Sequence, residues 1–256
     1  GNAEDALDDE SDIGSLLIEE RSTDSLQLWR TTSDVRDDVI DARDDEDEDA
    51  VAAITNGVEN NVVTQTDQAA FGSSDDIIVH QITASGLEGA LAANGDGPED
   101  ADALQELLTD GGGVDAGDNS TSLTFTEQNP GANQEETVLS IGEDADAGNV
   151  IDIVYDDANN DYYLFVDAGT LQSATGAEDG DEYEVEFSVQ NESLIDSDDS
   201  EDYQSVNSTF DFVEADGSFD LDPVEVGNAE NQSISGQMNV APGTEFGVRV
   251  RSDEAA

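Results

Sequence analysis

Sixty-five carboxylate side chains face six arginines and no lysine, so the chain carries a formal net charge of -59. Any fold must hold that charge together. A compact chain of 256 residues has a radius of gyration of roughly 18 Å, or a sphere radius of about 23 Å. Charging such a sphere in water costs on the order of 300 kcal/mol without screening. A Debye length of ~10 Å at 0.1 M salt reduces this to roughly 100 kcal/mol, and ~1.5 Å in several molar salt to about 20 kcal/mol. The unfolded chain repels itself too, so only part of each figure opposes folding. Even a fraction of the low-salt value exceeds a typical stability of ~5–15 kcal/mol. Folding therefore needs concentrated salt or many bound cations, and the charge reads as that of an extreme halophile. The missing lysine agrees, because its long apolar stem gives way to short, strongly hydrated carboxylates.

High acidity with few aromatic residues also describes disordered chains. Aromatics are 5% of this sequence, but 36% is hydrophobic, and those residues recur at strand and helix spacing. The charge excludes nucleic-acid binding through phosphate contacts, since no basic patch displaces counterions. No polybasic segment suits an anionic membrane. No apolar run approaches the ~18 residues of a spanning helix, and no secretory signal stands at the N-terminus. With no cysteine, disulfides, thiolate metal sites and thiol nucleophiles are all absent.

Residues 1–12 are acidic and patternless. Leu16, Leu17 and Ile18 read as a short strand, and Leu26, Leu28 and Trp29 as another. Two helices follow: one capped by Asp34 with Val35, Val39 and Ala42 on one face, and one from Glu46 to Asn56 stopped by Gly57. Between them lies Asp44–Asp49, an unbroken run of carboxylates that reads as a solvated face. Ile77, Ile78, Val79 and Ile82 mark a buried strand. Residues 98–109 predict a third helix, with Pro98 in its first turn and Leu104, Leu107 and Leu108 on its apolar face. Gly111–Gly113 is the natural internal boundary.

Beyond it the pattern is β. Leu123 and Phe125 alternate with threonines; Ile151, Ile153 and Tyr155 lead through a turn at Asp156–Asp161 into the run Tyr162–Val166. Tyr183, Val185, Phe187 and Val189 alternate with polar residues as a half-buried strand does. Phe210 and Phe212 pair with Phe219 and Leu221 around Asp216-Gly217, a hairpin-turn dipeptide. The expectation is a mainly β fold: an antiparallel sandwich with a few short helices inserted early. Its divisions are an α+β region over 1–113 and the sandwich over 114–256.

Chemistry-bearing residues are sparse apart from the acids. His80 is the sole histidine and lies inside an apolar strand, so it reads as structural. It has no second histidine for a zinc pair, and no G-x-S-x-G elbow supplies a nucleophile. No enzymatic activity is expected. Ca2+ or Mg2+ is the more credible ligand, since hard cations take carboxylate oxygens. The candidates are Asp144 and Asp146, near Asn149, and Asp156, Asp157 and Asp161 in one turn. Neither set matches an EF-hand loop, and acidic hairpin tips are the simpler explanation of both. Four Asn-x-Ser/Thr sequons begin at Asn119, Asn191, Asn207 and Asn231, favouring an exported glycoprotein.

Four stretches carry a resemblance: Leu26-Gln27-Leu28-Trp29, Val79–Leu91 (VHQITASGLEGAL), Phe125–Gly131 (FTEQNPG) and Val240–Arg251 (VAPGTEFGVRVR). They resemble haloarchaeal cell-surface glycoproteins of the S-layer type. The resemblance implies an extracellular, Ig-like, N-glycosylated and cation-assisted surface module with no catalysis, acting as a lattice or filament subunit by self-association. The signal, Thr-rich stalk and membrane helix of full-length members are missing, which leaves the anchoring open. More strands are expected after Arg251 than the residues up to Ala256 supply, so the chain reads as a fragment or an incomplete sandwich. An incomplete sandwich has an open edge that Leu16, Leu17 and Ile18 of a neighbouring copy fill by strand addition. The alternative is a secreted carbohydrate- or protein-binding module, which requires a concave aromatic surface.

Overall fold

The structure is a computed structural model that describes residues 20–45, 47–72, 75–110, 121–190, 192–195, 203–221, 224 and 232–249. The first elements are β1 (Thr23–Thr32), α1 (Ser33–Asp44), α2 (Ala50–Glu59), β2 (Thr64–Gln65), β3 (Gln68–Phe71) and β4 (Asp76–Ala84). Then come α3 (Glu88–Asn94), α4 (Ala101–Asp110), β5 (Thr121–Glu127), β6 (Val138–Ile141) and α5 (Ala147–Val150). The chain continues with β7 (Asp152–Asp156), β8 (Asp161–Asp167), α6 (Ala168–Thr175), β9 (Glu182–Val189), α7 (Glu192–Ile195) and β10 (Gln204–Glu214). Last are β11 (Gly217–Phe219) and β12 (Gly236–Met238).

Two five-stranded sheets form the expected sandwich. One has the order β2-β1-β4-β8-β7, the other β3-β10-β9-β5-β6. Their pairings are antiparallel except that of β3 with β10, which is parallel. Strands from both sides of Gly111–Gly113 share each sheet: β7 and β8 join β1, β2 and β4, while β3 edges the other.

Alternation along the strands decides what each face buries. Leu28, Ile78, Ile82 and Leu164 of the first sheet meet Phe125, Val185, Phe187 and Phe210 of the second in one core. Phe210 and Phe212 pack edge to face at 5.2 Å, and Tyr183 meets Phe212 at 5.3 Å, geometries that add to simple burial. Leu91, Leu104, Leu107 and Leu108 of α3 and α4 join this core. The opposite face of the first sheet, through Ile77, Val79, Val154 and Phe165, packs under Val39, Ala42, Ala50 and Ile54 of α1 and α2. The molecule is thus layered helix pair, sheet, sheet, and the outer face of the second sheet presents Thr124, Thr126, Glu184 and Glu186 to solvent.

Five expected details change, the first being that α4 begins at Ala101, so Pro98 lies before its first turn. The cap of α1 is Thr32, whose side chain accepts from Val35 N; Asp34 lies in the first turn instead. The second helix starts at Ala50 because the Asp49 side chain accepts from Ala52 N at 3.0 Å. Gly57 does not stop it: Val63 packs so closely that a Cβ on Gly57 would lie 2.6 Å from Val63 Cγ2, so the position needs glycine for approach and the helix runs on to Glu59. Finally, Asp216-Gly217 turns no hairpin. β11 leaves the sandwich there and pairs with β12, with Phe219 opposite Gly236.

Candidate functional surfaces

The expected turn at Asp156–Asp161 joins β7 to β8, with those two aspartates directly opposite each other and Asn160 in the left-handed region at φ 56°. Both are buried and internally bonded. Asp156 accepts from Ala158 N at 3.0 Å and Asn159 Nδ2 at 2.7 Å. Asp161 accepts from Thr83 Oγ1 at 2.6 Å and Gln81 Nε2 at 2.8 Å. Asp157 stands exposed between them. Asp144 accepts from Ser140 N at 2.9 Å, and Asp146 is the residue before α5. Among the described residues, no three acidic or histidine side chains converge as a metal site would require.

Asp161 anchors a polar network that borders a cleft. Gln81 of β4 lies opposite Gln27 of β1 and Tyr163 of β8. Trp29 donates its Nε1–H to Gln81 Oε1 at 2.8 Å, so the chain of bonds runs Trp29, Gln81, Asp161. Burial and then the Asp161 charge push the Tyr163 hydroxyl up to about 12. Trp29, Tyr163 and Phe165 wall the cleft against Ile54 and Val58 of α2, enclosing about 200 Å3. Trp29, Gln81 and Tyr163 lie on the sheet face that packs toward α2, and strand alternation alone makes the face that each residue occupies on its own strand readable from the sequence. Their adjacency was not, because β1, β4 and β8 are neighbours only through long-range pairing.

Asn207 lies on β10 opposite Glu186, exposed on the outer face of the second sheet. Thr209, two residues on, shares that face, so both sequon side chains are open to solvent. Asn119, Asn191 and Asn231, and the strand candidate Leu16, Leu17 and Ile18, lie outside the described residues. His80 is 0% exposed and meets Phe125 edge to face at 5.4 Å. Burial pushes its imidazole down to about 4; the Leu164 backbone opposes that shift without making a hydrogen bond to either ring nitrogen.

Beyond β10 the chain forms an arm of β11, β12 and the segment to residue 249. Phe219, Leu221, Ile234, Met238, Phe246 and Val248 are all exposed on it, although a two-stranded sheet alone buries little. The arm is tied down at its base. Asp76, 1% exposed, accepts from Ala70 N at 3.3 Å and Ala241 N at 2.7 Å. Arg30 Nη1 donates to Asn239 O at 3.0 Å. Asn239 in turn accepts from Asp216 N and donates to Glu214 O. Burial raises the Asp76 pKa, while its backbone donors and Arg30 hold it back.

No helix among the described residues is long and apolar enough to cross a membrane. No protein-family model matches the chain. Over 252 residues it is 32% identical to a cell surface glycoprotein of Haloferax gibbonsii, an overlap of 94% of this chain and 25% of that protein. Cell surface glycoproteins 2 and 1 of Haloarcula hispanica are each 30% identical over 95% of this chain. The chain spans about a quarter of the length of these relatives.

Proposed function

Starting from its kinship with haloarchaeal cell surface glycoproteins, which covers nearly the whole chain, we propose that this protein is a structural, non-catalytic subunit of an S-layer or surface filament. It is extracellular and works by self-association in high salt. The alignment over 94% of the chain carries this reading, and two structural features support it. The sandwich leaves one sheet face open and polar with a sequon at Asn207, where a glycan projects without disturbing the core. The sole histidine is locked against Phe125 inside that core and serves packing. Screened carboxylates hold water and ions at the exposed faces, and Ca2+ or Mg2+ bridges facing carboxylates of neighbouring copies.

Electron microscopy and sedimentation of the 256-residue chain in molar NaCl test the proposal. Sheets or filaments are expected; dispersed monomers at every salt concentration reject self-association. Mass spectrometry of native material should find glycan on Asn207.

A second reading, a secreted binding module, has one observation in its favour: the concave aromatic wall of Trp29, Tyr163 and Phe165. Titration with methyl β-D-glucopyranoside, following Trp29 emission, separates the two. Saturable quenching favours the module.

A further inference from the structure

We propose that the cleft beside Trp29 is a socket for the apolar arm of a second copy, so that copies join head to tail. This rests on the self-association proposed above and names the surfaces that carry it. Among the described residues, every exposed large apolar side chain except Val138 belongs to the arm or, as Val58, to the rim of the cleft. On a polyanion, that concentration marks the two places where burial is favourable.

Form and charge match. The cleft, at about 200 Å3, is smaller than the ~300–1,000 Å3 sites that enclose free small molecules, and it suits a single apolar side chain. The arm presents two: Leu221 and Phe246, each 66% exposed. Most pairs of faces on this molecule would bring carboxylates together. The cleft lining contains no charged residue. Among the described residues, the hollow of the arm is lined by Arg249 and no carboxylate, while Asp220 and Glu245 beside Leu221 and Phe246 are exposed and need the salt screening that assembly requires. Glu59 follows Val58 at the end of α2 and offers Arg249 a partner at the rim. The two linings share no residue, so a contact between them is heterologous and repeats as an open chain wherever its rotation does not close a ring. Concentrated salt screens the surrounding carboxylates, which lets the apolar surfaces meet.

Sedimentation in molar NaCl with two variants tests this. Val58→Asp places a carboxylate at the mouth of the socket. Leu221→Ser combined with Phe246→Ser strips the arm of exposed side chains the fold does not need. Each variant should stay monomeric at tenfold or more above the concentration at which the unaltered chain assembles, with an unchanged circular-dichroism spectrum. Mixed in equal amounts they should form dimers and nothing longer, since one retains an arm and the other a socket. Trp29, the only tryptophan, should shift its emission to the blue on assembly. Variants that assemble like the parent, a mixture that stays monomeric, or unmoved Trp29 emission overturn the socket and leave self-association standing. A parent chain that never assembles removes both.

Discussion

The Asp76 carboxylate accepts the backbone N–H of Ala241 at 2.7 Å, joining β4 to a point 165 residues further along the chain. Its other oxygen takes Ala70 N, so one buried side chain holds two backbone donors from separate segments. In a protein with so many solvated acids, this one is structural. Asp76→Ala should leave both donors unsatisfied and cost about 2–4 kcal/mol. Asp76→Asn keeps one acceptor and should cost less. Hydrogen exchange reads the location: amides of residues 236–241 should exchange faster, with those of β9 unchanged.

His80 makes the protein acid-sensitive. Its folded pKa of about 4 lies below the ordinary 6.5, so the unfolded state binds a proton more readily. The stabilising difference is complete above pH 6.5 and is lost as pH falls toward 4, by on the order of 3 kcal/mol. Asp76 acts oppositely: a raised folded pKa gives its largest stability contribution below 3.8, lost as pH rises. Comparing the parent with His80→Leu isolates the histidine. Denaturant unfolding in molar salt should show a smaller drop between pH 7 and 5 for the variant; equal drops refute the assignment.

Salt dependence should be tunable at α1. Asp34, Asp37, Asp38, Asp41 and Asp44 are all exposed on this one helix, while two of the arginines form short ion pairs, Arg36 with Asp37 and Arg43 with Asp44. Replacing Asp38 and Asp41 with lysine removes like-charge neighbours worth about 0.2–0.5 kcal/mol per pair. The salt concentration at half-unfolding, followed by circular dichroism on dilution, should fall. For the unaltered chain, a spectrum unchanged from about 3 M to 0.05 M salt would contradict the screening argument.

Two glycines should respond in opposite directions to alanine. At Gly57 the new Cβ meets Val63 Cγ2, pushing α2 off the sheet at a cost of about 1–3 kcal/mol. At Gly89 in α3 nothing lies within 4 Å, and alanine should stabilise by about 0.5–1 kcal/mol. Thermal unfolding of both variants in the same buffer checks the sign.

Local pattern was enough to place most elements and their buried faces. Alternation along Tyr183–Val189 and the run Tyr162–Val166 became β9 and β8 because a strand repeats every two residues whatever it pairs with. The charge likewise announced the brine, since self-repulsion depends on composition and size alone. Partnership is different. That Trp29, Gln81 and Tyr163 share one cleft, or that β11 abandons Phe212 for β12, depends on which strands lie side by side. So does the choice of Asp76, like Asp156 and Asp161, as a buried acid: its environment is assembled from β3, β4 and the arm. Those contacts lie between segments far apart in the chain, and only the closed sandwich brings them within reach.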